Sequence, residues 1–360
     1  MTKGEIEKMI YAPILIPTLC RSKHFIRCIE SLKKNGWAMY TDVYVALDYP
    51  SKETHWEGYN KIREYLKGEF PEFASFNVIA REANYGSARN MRELRNDILK
   101  KYDRFIRTDD DCEFSPNFIE YMDKALDKYE DDQSVVAVTG YSYPLNWHVS
   151  DKANIFKSKL LFSMWGTGFW KSKFLDLQAL FNEPNYFSAN FNKDLNNGKM
   201  KKLTQVSFDD YSEYGTAYKE YRGLLNIFSD RALTVYLQLE NKYIITPVLS
   251  KVRNNGFDGS GVYCLNTLEK SEKKDDSQAY NYQVQSIDSD TKFEIIEDVL
   301  KDEHGNKKVI DSFDRVPKEK RIKMKLRCFL YKSFGKTKYI NIMRTVSYTH
   351  LRAHETRSNL

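Results

Sequence analysis

The sequence predicts an α/β fold, a mostly parallel sheet covered by helices on both faces. Short apolar segments alternate with helix-length amphipathic segments through the first 140 residues, and turn residues close the strand-like segments. Apolar and charged fractions of 41% and 29% suit a folded globular protein, and 360 residues hold one large α/β domain with an appendage, or two domains.

The elements follow in order. Ala12 to Pro17 (APILIP) reads as a short buried strand, and Phe25, Ile26, Ile29 and Leu32 then recur at helical spacing. Asp42 to Leu47 (DVYVAL) is the second strand, closed by Asp48-Tyr49-Pro50 and followed by a helix around Tyr59, Ile62 and Leu66. Phe76 to Ala80 is the third, leading through Asn84-Tyr85-Gly86 into a helix with Leu94, Ile98 and Leu99. Arg104 to Arg107 is the fourth and Val135 to Val138 the fifth. Between them Ser115-Pro116 reads as an N-cap with proline at the first helical position, before Phe118, Ile119, Met122, Ala125, Leu126 and Tyr129.

The pattern loosens after Gly140. Leu160 to Trp170 (LLFSMWGTGFW) suits either a loop shaping a pocket or a core segment, and Asn182 to Phe208 reads as loop-rich. Leu224 to Leu239 is helix-like, Tyr243 to Leu249 a strand, and Lys251 to Cys264 a glycine-dense loop. Asn266 to Asp314 is polar, with room for one short strand pair.

Asp109-Asp110-Asp111 stands where the fourth strand ends. Three adjacent carboxylates repel, at a cost that grows as water is excluded. A solvated turn tolerates them, and a divalent cation would use them: Mg²⁺ or Mn²⁺ bound by one or two carboxylates shares the phosphates of a substrate. The carboxyl edge of an open α/β sheet is where ligands bind, which favours the second reading.

Composition narrows the classes. The first nine residues are polar and charged, unlike a secretory leader, and no apolar run has membrane-spanning length. Cys20, Cys28, Cys112, Cys264 and Cys328 lack zinc spacing and read as reduced thiols of a cytoplasmic protein. Eleven Lys or Arg and one Glu between Arg315 and Thr345 carry the basic excess, leaving residues 1–314 net acidic, so a nucleic-acid partner is not indicated. Ile322, Leu326, Phe329 and Leu330 share one helical face in that stretch. A basic amphipathic helix over Arg315 to Lys338 either lies on the inner face of the cell membrane or packs on the domain. Val346 to Thr356 (VSYTHLRAHET) looks like a translated sequencing adapter, so the native frame is expected to be cut near Thr345, and His350 and His354 are set aside. The expected organisation is 1–265 as the main domain, 266–314 as a polar extension, 315–345 as a basic helical segment and 346–360 as artefact.

Four segments carry a resemblance: Pro13-Ile-Leu-Ile-Pro17, Asn84-Tyr-Gly-Ser-Ala-Arg-Asn90, Asp109-Asp-Asp-Cys-Glu-Phe-Ser-Pro-Asn-Phe118 and Asn255-Gly-Phe-Asp-Gly-Ser-Gly261. Together they resemble the GT-A (Rossmann-like) glycosyltransferases, family-2-like bacterial enzymes in particular. Around the carboxylates they are similar to the N-acetylglucosaminyltransferase I family. The resemblance spans Tyr11 to Cys264.

The resemblance implies a role for each matched residue. Asp111 would bind Mn²⁺ or Mg²⁺ on the nucleoside diphosphate. If the segment stays extended, Asp109 shares the side of Asp111 and faces ribose or uracil, while Asp110 lies nearer the sugar. Asp109 stands where relatives commonly carry glutamate. Pro17, Thr18, Arg21 and Asp48 lie where the family holds the nucleotide base; Asp48 would accept the uracil imide proton, or alternatively cap the turn before Pro50. Asn84, Gly86 and Arg89 complete the donor site, with Asn90 beside them able to bond phosphate or sugar hydroxyls. Asp230, just before a helix and a family-like interval ahead of Ile244-Ile-Thr-Pro247, is the candidate general base, with helix capping as its alternative and Asp209 and Asp210 as substitutes. Trp165, Gly166 and Asp258 are candidates for the acceptor or sugar pocket, and the loop Asn255 to Gly261 for a lid. Relatives often have histidine where Tyr263 stands. His24, His55 and His148 are isolated in the sequence and read as structural or exposed.

The activity implied is inverting, metal-dependent transfer of a sugar from a UDP-sugar to a glycan or lipid-linked acceptor in surface polysaccharide synthesis. Two other classes remain. A non-catalytic nucleotide-sugar or glycan-binding protein would keep the fold without turnover. A sugar nucleotidyltransferase would want glycines after the first strand, where Thr18-Leu-Cys-Arg-Ser22 has none.

Overall fold

The computed structural model describes residues 9–149, 152–183, 228–261 and 286–299, with scattered positions over 186–211 and 326–342. The chain divides into two units, Met1–Asp176 with Asn241–Ile310, and Leu177–Glu240 with Asp311–Leu360.

The first unit is built on a nine-stranded mixed sheet. Its strands are β1 Ile14–Thr18, β2 Asp42–Leu47, β3 Ser75–Ala80, β4 Arg104–Arg107, β6 Val135–Thr139, β7 Ile155–Ser158, β8 Thr167–Trp170, β9 Tyr243–Pro247 and β11 Glu297–Val299. Two further strands, β5 Cys112–Phe114 and β10 Val252–Asn254, pair with each other. The order across the large sheet is β11-β7-β9-β6-β8-β4-β1-β2-β3. Strands β3, β2, β1 and β4 run parallel, as alternating strands and helices require. Beyond β4, β8 enters antiparallel between β4 and β6.

Helices α1 Ser22–Lys33, α2 Trp56–Tyr65, α3 Gly86–Ile98 and α4 Phe118–Lys128 lie between these strands, and α5 Lys171–Asn182 follows β8. Strand alternation sorts them onto two faces. Ile14, Ile16, Val43, Val45 and Ile106 join one core with Phe25, Ile29 and Leu32 of α1, Ile62 of α2 and Met122 of α4. Leu15, Ala46 and Phe105 are buried outside that core, on the side where α3 lies against β1 and β2. The predicted class of sheet covered on both faces is therefore the observed one.

Two local expectations are corrected and one open reading is decided. In Leu160 to Trp170 the core alternative holds for Thr167 to Trp170, which form a fully buried central strand. The glycine-dense loop contains β10. The helix after the triplet begins at Phe118, two residues beyond Pro116, because the chain first makes β5 and then a turn. In that turn the Ser115 N–H donates to the Lys251 carbonyl at 2.9 Å and the Phe118 N–H to the Ser115 carbonyl at 3.1 Å.

Residues 286–299, part of the compositionally polar stretch, lie in the first unit. Asp288 pairs with buried Lys251 and accepts from Asn117 Nδ2 at 2.9 Å, and β11 adds in parallel to β7.

In the second unit, α6 Asp230–Glu240 buries Leu233, Val235, Leu237 and Leu239. Phe181 gathers Phe187, Phe228 and Tyr236 within 5.4–5.6 Å, and the Tyr211 hydroxyl donates to Asp194 at 2.6 Å. Asp209, Tyr263, most of the basic segment 315–338 and all of 346–360 lie outside the described residues. Among the described residues no helix is long and apolar enough to cross a membrane.

Candidate functional site

Strand β1 has β2 on one side and β4 on the other, and the chain order reverses there. The loops leaving the carboxyl ends of β1 and β4 flank that switch point, where open α/β sheets form their ligand crevice. One loop carries Thr18 to Arg21 and the other Asp109 to Asp111.

The triplet does not continue as an extended strand. The Cys112 N–H donates to the Asp109 carbonyl at 3.3 Å, closing a turn. The expected alternation is thereby broken: Asp110 and Asp111, not Asp109 and Asp111, present their carboxylates to the same group. Asp109 takes a hydrogen bond from Arg107 Nη2 at 2.6 Å. Asp110 accepts from the Thr18 hydroxyl at 2.8 Å and pairs with Arg21 Nη2. Asp111 pairs with Arg21 Nη1 at 2.8 Å and accepts from Asn254 Nδ2 at 3.1 Å.

Asn254 reaches this point because β10 pairs antiparallel with β5, aligning Asn254 with Cys112. The Asn255 N–H donates to the Asp111 carbonyl at 2.8 Å, and Gly256 follows. A Cβ at Gly256 would sit 2.1 Å from Asp111 Oδ2 and 3.1 Å from Arg21 Nη1, so glycine is what lets the backbone lie against this pair. A short Asn-Asn-Gly run is the one local signal of Asn254 in the sequence.

Burial lifts the Asp111 carboxyl to about 7; the Arg21 charge pulls it down, and the neighbouring Asp109 and Asp110 push it up. Among the described residues no three His, Cys, Asp or Glu side chains are already arranged around one point. The donor set nevertheless fits a divalent cation, since two hard carboxylates converge on a single positive group at the sheet edge. That is the protein share that a Mg²⁺ or Mn²⁺ site completed by substrate phosphates would require.

Asp48 ends β2 and is buried. Its carboxylate accepts from the backbone N–H of Tyr49 at 3.0 Å, of Tyr85 at 2.7 Å and of Gly86 at 2.8 Å. It thus braces the start of α3, where Gly86 has φ 71°, and Asn84 Nδ2 donates to the Tyr49 carbonyl at 2.6 Å. Arg89 is exposed, with its guanidinium 3.9 Å from the Tyr85 ring centroid. Asn90 turns inward: its amide donates to the Ala46 carbonyl at 2.8 Å and accepts from Arg81 Nε at 2.9 Å. Pro17 lies in β1 opposite Ala46.

The pocket candidates join the same neighbourhood through the glycine loop. The Trp165 ring meets Tyr141 at 4.8 Å and Phe257 at 5.9 Å, both edge-on. Gly166, at φ 59°, packs against Val252 and Phe118. Asp258 pairs with His24 Nε2 at 2.9 Å, and its other oxygen accepts from the Ser260 N–H at 2.9 Å. His24, expected to be structural or exposed, ties α1 to the loop.

Asp230 belongs to the second unit, where it opens α6. The capping contact there is made by Ser229, whose hydroxyl accepts from the Ala232 N–H at 3.2 Å. Asp210 is 3.6 Å from Arg231 Nη1.

The family profile described as "Glycosyl transferase family 2" matches residues 14–195, just over half the chain, and spans both loops of the switch point. No curated protein matches. Among solved structures, S. aureus TarS is 14% identical with a TM-score of 0.33, covering 48% of this chain and 30% of that one. S. aureus TarS 1-349 in complex with UDP-GlcNAc is 16% identical at 0.33, with 47% of each chain covered. The mannosyltransferase PcManGT from Pyrobaculum calidifontis, in complex with GDP-Man and Mn²⁺, is 12% identical at 0.32, covering 47% of this chain and 49% of that one. The match thus spans about half or less of each of these proteins.

Proposed function

This chain belongs to glycosyl transferase family 2, and from that premise we propose that it is an inverting, metal-dependent enzyme. It moves a sugar from a UDP-sugar to a hydroxyl of a glycan or lipid-linked acceptor. The observation that carries the reading is the convergence of Asp110 and Asp111 on one guanidinium at the switch point.

Asp110 and Asp111 would hold Mn²⁺ or Mg²⁺, which when bound offsets the negative charge of a departing diphosphate. Thr18 and Asn254 fix the orientation of the two carboxylates by hydrogen bonds at 2.8 and 3.1 Å. Asp48 holds the start of α3 so that Arg89, exposed on that helix, faces solvent where a donor can reach it. Arg21 supplies the cation that a diphosphate would pair with in bidentate fashion. Asp230 takes the proton from the acceptor hydroxyl, and a single in-line displacement inverts the sugar carbon.

The test is UDP release from a panel of UDP-sugars with glycan acceptors, with and without Mn²⁺. Release that needs the metal is expected. Donor binding without any consumption would turn the reading into that of a sugar-nucleotide-binding protein. In the same assay Asp230→Asn is expected to bind donor normally and lose about 10²–10⁴-fold in turnover. A wild-type rate in that variant would move the base elsewhere, Asp210 being the next candidate.

A further inference from the structure

Arg21 occupies the position in which the proposed metal-binding carboxylates meet. Its Nη1 and Nη2 divide between Asp111 and Asp110, so one guanidinium neutralises both. The two aspartates are largely buried beside it, their side chains 8% and 7% exposed against 23% for Arg21. The Gly256 backbone lies close to the same pair, since a Cβ there would meet Asp111 Oδ2 and Arg21 Nη1.

The arginine can move, because little else holds its head. Among the described residues its ion pairs are with these two aspartates. Its backbone is fixed at the N-cap of the twelve-residue helix α1, so the side chain swings from a rigid root. Leaving the pair costs two charge-assisted hydrogen bonds, which a replacement anion with paired oxygens would restore. A diphosphate is such an anion; a bare metal ion is not.

Resting on the metal-dependent reading above, we propose that Arg21 is a built-in countercharge that makes cation binding and diphosphate binding depend on each other. In the donor-free protein Arg21 holds Asp110 and Asp111. A diphosphate draws the guanidinium away and so frees both carboxylates for the cation. The coupling is reciprocal, as any linkage between two ligands must be: the metal tightens the nucleotide by the factor by which the nucleotide tightens the metal. An idle enzyme then holds metal weakly, and the acidic pair is never left uncompensated.

The experiment measures Mn²⁺ binding to the full chain by the electron paramagnetic resonance signal of free Mn²⁺, with and without UDP as the probe. Wild type is expected to bind Mn²⁺ weakly alone and about tenfold or more tightly with UDP. Arg21→Gln is expected to bind Mn²⁺ alone about tenfold more tightly than wild type, with the UDP enhancement reduced to about threefold or less. Removing any neighbouring cation relieves repulsion of the metal, so the reduced UDP enhancement is the readout that a merely structural arginine would not produce. If folded Arg21→Gln binds Mn²⁺ alone no more tightly than wild type, while wild type still takes Mn²⁺ with UDP, the countercharge is overturned and the metal reading stands. If wild type takes no Mn²⁺ even with UDP, the metal reading fails and the countercharge with it. Should Arg21→Gln not fold, Arg21→Lys decides by the same criterion, since a single ammonium cannot hold both carboxylates in the guanidinium geometry. About threefold tighter Mn²⁺ binding than wild type is then expected, and no gain overturns the proposal.

Discussion

Asp111 and Asp123 are two buried carboxyls lifted by burial to about 7, and they do opposite things with it. Asp123 lies in α4 inside the core. One oxygen accepts from the Ala12 N–H at 2.9 Å, and the other is buried without a hydrogen-bond partner among the described residues. Arg104 lowers its pKa and Asp127 raises it, but no side-chain cation touches it among the described contacts. Asp111 lies at the sheet edge beside two like charges, in contact with an arginine and an asparagine from separate elements. A displaced pKa is therefore common to a structural strut and a candidate site. What separates them is that two side chains from separate elements, Arg21 and Asn254, converge on Asp111, while Asp123 only fastens the start of β1 to a helix.

The largest effect should come from removing the charge at each position. Asp111→Asn is expected to lower UDP-sugar turnover on the order of 10²–10³-fold with little change in melting temperature. Asp123→Asn, assayed where it is folded, should stay within about twofold of wild type. Equal losses in the two would abolish the distinction. A smaller effect should follow from moving Asp111 without removing it. Gly256→Ala places a methyl 2.1 Å from Asp111 Oδ2, and Asn254 limits how far that carboxylate can retreat. Turnover should fall about tenfold or more, with ~1–3 kcal/mol of stability lost to overpacking. An unchanged rate in a stable Gly256→Ala protein would show that the position of Asp111 does not matter.

The same contrast explains how much was readable beforehand. Strands β2 and β4 have the bounds that composition and turn residues predict, because their signal is local. Strand β8 was ambiguous, since Thr-Gly-Phe-Trp is buried on both faces and lacks the alternation that marks a half-exposed strand. The β5–β10 pair is three residues on each side, joined across some 140 positions, and leaves no periodic trace. That pair delivers Asn254 to Asp111, a contact between residues 143 positions apart. The triplet and the Thr18–Arg21 loop were legible as strand-end features. Their mutual pairing was not, because a turn at Asp109–Cys112 replaced the extended run that spacing alone suggests. Asp48 likewise kept two open readings in the sequence, and its bracing of α3 depends on strand order that spacing does not encode.

The smallest effect concerns pH. The folded-state pKa of Asp123 is raised to about 7, above the ordinary aspartate value, so the folded protein binds this proton more tightly than the unfolded chain. The stability linked to that proton is complete below about pH 4 and is lost as pH rises through about 7. Asp123→Asn has no such proton, and its side-chain oxygen can still accept from Ala12. Asp111 is present in both proteins and cancels from their difference. The melting temperature of wild type minus that of Asp123→Asn should therefore fall between pH 5 and pH 8, by about 2 °C or more. A difference that stays flat, or rises with pH, would mean that Asp123 is ionised in the fold and compensated by its surroundings, as Asp111 is by Arg21.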